Sequence, residues 1–164
     1  MADLTRRTLI AAAAACSPAS ALAAAPAFAP VLTGQKLVFP RDHGAHPDFR
    51  TEWWYITGWL EDGGTPLGFQ VTFFRTRTGL GEDNPSRFAP RQVLFAHAAL
   101  SDPRVGRLLH GQRIAREGFG LAEASTRDLD VVLDDWRLVR APGGDLQAQA
   151  AGEGFSLDLT LSPT

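Results

Sequence analysis

The chain has 164 residues, with sixteen Lys and Arg against eighteen Asp and Glu, a formal net charge of −2. That balance leaves no nucleic-acid footprint, and a single cysteine supplies neither a disulfide nor a cysteine-based metal site. Hydrophobic residues make up 45% and charged residues 21%, the composition of a globular chain rather than a disordered one.

Residues 1–29 read as an export signal. Thr5-Arg6-Arg7 opens it, Leu9 to Ala15 is a short apolar run, and Ala27-Phe28-Ala29 offers small residues at the −3 and −1 positions of a cleavage site. The paired arginines match the twin-arginine type, which predicts a periplasmic or secreted location. The apolar run is well short of the ~20 residues that span a bilayer. Cys16 follows it directly, with small residues (Ala13-Ala14-Ala15) before it, which leaves two readings: a lipidated cysteine holding the protein at a membrane surface, or an inert thiol. Without this segment the charge is −3, and about 135 residues remain (30–164), the size of one domain.

Beyond it, period-two patterning dominates over helical periodicity. Residues 53–60 (WWYITGWL) predict a strand, Glu61 to Thr65 a turn, and residues 67–76 (LGFQVTFFRT) a second strand of the same hairpin. Residues 77–91 are a polar loop with glycines and prolines, and residues 92–101 (QVLFAHAALS) a third strand. Residues 113–123 predict a short helix or irregular crossing. Residues 128–140 give one or two strands around Asp134-Asp135, residues 145–151 a weaker strand, and residues 154–161 a cleanly alternating one. Roughly six to eight short strands in sequential order predict an antiparallel all-β barrel or sandwich. Apolar character on both faces of residues 53–60 predicts the most buried strand, or one facing a ligand cavity.

Chemically able residues gather between 39 and 60 (FPRDHGAHPDFRTEWWYITGWL), joined by His97 in the third strand. His43, His46, Glu52 and His97 fit no trusted metal motif, and neither a metal nor a cofactor is expected. Glu52 beside Trp53 and Trp54 has the makings of a desolvated general acid, and aromatic faces stabilise a developing cation; a structural, hydrogen-bonded Glu52 is the commoner arrangement. No G-x-S-x-G elbow is present. Eight of the fifteen aromatic residues fall within residues 49–74, so Trp53, Trp54, Tyr55, Trp59 and Phe73, with His43, are candidates for an apolar-ligand wall as well as for core.

The same stretch, followed by GFQVTFFR, FAHAALSD and LDDWRLVR, resembles the AttH-type lipocalin-like proteins. These group with the carotenoid 1,2-hydratases (hydroxyneurosporene synthases) and are often labelled secreted hydrolases. His43, Glu52, Trp53, Trp54, Tyr55, Gly58, Phe73, Phe74, Arg75, His97, Asp102, Asp135 and Trp136 match the family pattern. The resemblance implies two lipocalin-like β-domains in a chain about twice this length, of which residues 30–164 form the first. It implies a hydrophobic small-molecule ligand and association with an ABC-type transporter. For the hydratase branch it implies cofactor-free, acid-catalysed hydration of an alkene, with Glu52 and His97 as candidate acids here and the main proton donor in the second domain.

Overall fold

The computed structural model describes residues 28–163, so most of the expected export signal, including Cys16, lies outside the described residues. Nine strands follow a 3-10 turn at Arg41–His43: β1 (Thr51–Asp62), β2 (Thr65–Arg77), β3 (Gln92–Ser101), β4 (Leu108–Arg116), β5 (Ala122–Ala124), β6 (Asp130–Leu133), β7 (Trp136–Arg140), β8 (Leu146–Gly152) and β9 (Phe155–Leu161). Every pairing is antiparallel between sequence neighbours, giving a four-stranded sheet β1-β2-β3-β4 and a five-stranded sheet β5-β6-β7-β8-β9.

The two sheets face each other as an open sandwich. One face of each strand supplies the core: Phe69, Val71 and Phe73 from β2, Leu94, Ala96 and Ala98 from β3, and Val131, Leu133, Trp136, Leu138, Ala148, Ala150, Leu157 and Leu159 from the second sheet. The expected all-β antiparallel class is therefore what forms, as a sandwich and not a closed barrel. β1 and β9 do not pair; a groove of about 400 Å³ lies between them, lined by Gly58, Leu60, Phe69, Leu159 and Leu161.

Trp136 anchors the interface between the sheets. It is 1% exposed, its ring meets Phe73 edge-on at 6.5 Å, and the Arg113 guanidinium lies 5.0 Å from its ring centroid. Its indole N–H has no hydrogen-bond partner among the described residues. The ring needs room from β4, and Gly111 provides it: a Cβ there would meet the Ala151 carbonyl oxygen at 3.0 Å and Trp136 Cζ2 at 3.2 Å.

Residues 108–116 form a full strand, β4, where a crossing or short helix was expected over 113–123. β1 differs from expectation too. It is an edge strand whose even residues are half-buried against the core and whose odd residues are exposed.

Truncating Trp136 to Ala should cost about 3–5 kcal/mol through the cavity it leaves. Trp136→Phe should cost distinctly less, because it removes the unpartnered indole N–H along with part of the ring. Urea unfolding midpoints of the two variants check the order.

Candidate functional site

Strand alternation sends the residues of β1 to two different places, and the ion pair beneath the strand sets which go where. Glu52 and Arg75 are register partners on β1 and β2, and both turn inward. Arg75 is 1% exposed. Its Nε donates to Glu52 Oε1 at 2.5 Å, one terminal nitrogen donates to Gln92 Oε1 at 2.6 Å, and the other donates to the carbonyls of His46 and Phe49, each at 2.9 Å. Glu52 also accepts from the His46 backbone N–H at 2.7 Å, and its second oxygen lies 3.0 Å from His46 Nδ1. Both carboxylate oxygens are thus occupied as acceptors, in a knot that fastens residues 46–49 to the sheet.

Asp42 extends this knot. It accepts from the Val38 N–H and the Arg41 side chain and lies 3.4 Å from His46 Nε2. The hydrogen bond from Arg41, then that from Val38, holds its carboxyl well below the usual carboxylate range. Trp54, also inward, donates its indole N–H to the His43 carbonyl at 2.9 Å. Of the residues expected to touch a ligand, then, Phe73 lies in the core, while Trp54 and His43 tie the N-terminal segment to β1. Glu52 lies on the opposite face of β1 from Trp53 and Tyr55.

The outer face of the four-stranded sheet gathers the others. Trp53, Tyr55 and Trp59 stand out from β1 at 62%, 58% and 80% exposure. Register aligns Trp53 with Phe74, Phe95 and Ile114 in one row across all four strands, and Tyr55 with Thr72, His97 and Gln112 in the next. Phe74 and Phe95 stack at 4.6 Å with their planes 7° apart, and His97 lies about 6 Å from both rings, at 5.9 and 6.1 Å. His97 also borders two depressions of about 250 and 350 Å³, one reaching Gln70 and His110, the other Phe95, Arg113 and Ile114. An apolar patch continuous across four strands is more than scattered surface hydrophobics, and such patches mark contact sites.

The sequence reading missed Phe74, Phe95 and Ile114 as members of this face. The signal was present: each sits at an odd or even phase that matches Trp53 once the hairpin register is drawn. The other family-pattern residues serve the scaffold. Asp102 accepts from the backbone N–H, the Nε and a terminal nitrogen of Arg104, Asp135 pairs with Arg113, and the Phe69 ring lies 3.2 Å from where a Cβ on Gly58 would be. Among the described residues no group of three or more His, Cys, Asp and Glu is placed to hold a metal ion.

An open antiparallel sandwich of two meandering sheets is consistent with a lipocalin-like β-domain. The family model described as AttH-like matches residues 30–164, and the chain belongs to that family. A crystal structure of a protein of Nitrosomonas europaea, assigned as an AttH, is similar at 51% identity with a TM-score of 0.71. The match covers 84% of this chain and 41% of the other, so the chain spans well under half of that relative's length. No curated protein matches the chain.

Removing one partner of the Glu52–Arg75 pair, as Glu52→Gln or Arg75→Met, should destabilise by about 3–5 kcal/mol because a buried charge loses its partner. The double variant should recover part of that loss, which a double-mutant cycle on urea midpoints reads directly. Asp42 should act through pH. Its lowered folded-state pKa contributes stability above the unfolded carboxylate value of about 3.9, lost as pH falls through the folded value. Asp42→Asn should therefore lower the melting temperature at neutral pH, with the gap to wild type closing in strong acid.

Proposed function

We propose that this chain is an exported AttH-family β-domain that binds an elongated apolar molecule, a lipid or isoprenoid chain, on the outer face of the β1–β4 sheet. The observation that carries the reading is the exposed row of Trp53, Phe74, Phe95 and Ile114, flanked along β1 by Tyr55 and Trp59. The inside of the sandwich is a poorer candidate, since Val71, Phe73, Leu94, Ala96 and Leu133 fill it at zero exposure. Rigid aromatic side chains give large contact area at low entropic cost, which suits a flexible chain-like ligand. The family resemblance adds delivery to an ABC-type transporter as the proposed use of such binding, in the periplasm or outside the cell. A further β-domain belongs to the same proposal, supported by the greater length of the relative.

His97 favours one second reading. It is the titratable side chain set beside the Phe74 and Phe95 rings, where an imidazolium would protonate an alkene and the rings would face the resulting cation. In that hydratase-type reading Glu52 takes no part in proton transfer, because its oxygens are held beneath the strand.

Titration with a fatty-acid fluorophore, followed by tryptophan emission, should saturate. Trp53→Ala and Trp59→Ala should each weaken binding about tenfold, on the order of 1.4 kcal/mol. Failure of both to shift the curve removes the outer face from the function. A water adduct on an acyclic carotene that disappears in His97→Ala, with binding retained, would favour the second reading.

A further inference from the structure

We propose that the free edge of β1 is a strand-addition site and that its occupant is β1 of a second copy of this chain, antiparallel about a two-fold axis at Ile56. Asp62 and Thr65 close the hairpin over Gly63 and Gly64, whose φ angles are 58° and 82°. In such a two-residue turn the closing pair exchanges both hydrogen bonds, and the pattern alternates from there. Glu52, Trp54, Ile56, Gly58 and Leu60 consequently direct their N–H and C=O groups to β2. Trp53, Tyr55, Thr57, Trp59 and Glu61 direct theirs away from it. The far end of the hairpin has the same phase, since the Arg77 N–H donates to the Arg50 carbonyl at 2.8 Å.

Among the described residues no strand takes up those outward groups. The other edges of the sandwich are blunted. β5 has three residues and β9 has seven, the latter turning Ser156, Asp158 and Thr160 outward. β4 has nine residues and turns the polar His110 and Gln112 outward. β1 has twelve residues, no lysine and no proline, and its one inward acid is neutralised by Arg75. Natural sheets rarely leave an edge of that length and character bare in water.

The strand also complements itself. With the axis at Ile56, Trp53 lies opposite Trp59 of the second copy, Tyr55 opposite Thr57, Thr51 opposite Glu61 and Arg50 opposite Asp62. Tryptophan meets tryptophan on the outer face, Ile56 meets itself on the inner one, and a cation meets an anion at each end; Glu52, already held by Arg75, lies opposite Leu60. Moving the axis to Thr57 sets Trp53 opposite Glu61 and Glu52 opposite Asp62, acid against acid. Moving it to Tyr55 sets Trp59 opposite Thr51 and Arg50 opposite Leu60. Cross-strand pairs of these kinds differ in favour of the Ile56 axis. Six outward-facing pairs would form about twelve backbone hydrogen bonds, two for each pair. The two copies would share one eight-stranded sheet with both aromatic faces on the same side.

Sedimentation velocity on the full chain tests this. The expected species has twice the 17.7 kDa of one chain. Thr57→Pro deletes the outward N–H together with the hydroxyl bond to the Phe69 carbonyl, a bond that all three Thr57 variants lose; it should keep the β1–β2 hairpin by far-UV circular dichroism and weaken dimerisation at least tenfold. Thr57→Lys, which keeps the N–H but charges the edge, should weaken it as well and serves if the proline variant misfolds. Thr57→Val keeps both N–H and neutrality and should remain dimeric. A wild-type monomer at every concentration, or a dimer indifferent to both Thr57→Pro and Thr57→Lys, overturns the proposal. So does a monomer that dimerises only after residues 1–29 are removed, which would assign the edge to that segment.

Discussion

The buried contact between Glu52 and Arg75 sets the phase of the strand on which the candidate site depends. Side chains alternate along a strand with period two, so fixing one residue fixes the direction of all the others. Glu52 must point inward, because Arg75 waits there at 1% exposure with no other carboxylate in its hydrogen-bond set. Trp54, Ile56 and Leu60 follow it toward the core. Trp53, Tyr55 and Trp59 are then committed to the outside. A one-residue slip would bring those three indoors at the cost of exposing Glu52's partner as a buried, unpaired cation, a far greater penalty than leaving aromatic rings wet. The charge pair thus displays the aromatic face as much as it stabilises the sheet. The same guanidinium also holds the His46 and Phe49 carbonyls, so the segment before β1 is fixed by the same contact.

This division explains how far the sequence was legible. β2, β3 and β9 alternate apolar and polar residues against a single core, and their boundaries are readable to within a residue or two. The bend at Asp134-Asp135 is real, with Asp134 at φ 57° between β6 and β7. β4 was not readable because its inward positions are Leu109, Gly111, Arg113 and Ala115. Trp136 takes the volume that larger side chains would fill at 111, and Arg113 lies over the same indole. A strand built around a neighbour's tryptophan loses its own hydrophobic period. β1 misled in the opposite sense. Aromatic residues on both sides suggested burial on both sides, whereas only one side has a second sheet to meet.

The candidate site was legible in its residue types more than in its geometry. Trp53, Tyr55, Trp59 and His97 do share one face, but nothing in a single strand says that Phe74, Phe95 and Ile114 stand beside them. That follows from register, which the Gly63–Gly64 turn and the Glu52–Arg75 contact fix together. Glu52 was attractive as an acid because it adjoins tryptophans in sequence. In a strand, adjacent residues point to opposite faces, so sequence neighbours are the residues least able to share a pocket.

The face and the edge of β1 are built from the same residues. In an antiparallel hairpin closed by a two-residue turn, the residues whose backbone groups point to the free edge all share one side-chain direction. Trp53, Tyr55 and Trp59 therefore present a row of amides that no other described strand takes up and a row of aromatic rings at once. Any polypeptide that pairs with β1 lines up its own side chains alongside those rings, and any apolar ligand lying across the rings approaches the edge. Strand addition would widen the apolar floor while leaving its aromatic surface open to one side. In the proposed assembly, pairing along β1 would extend the apolar surface and would not consume it, because the same residues carry the edge and the rings.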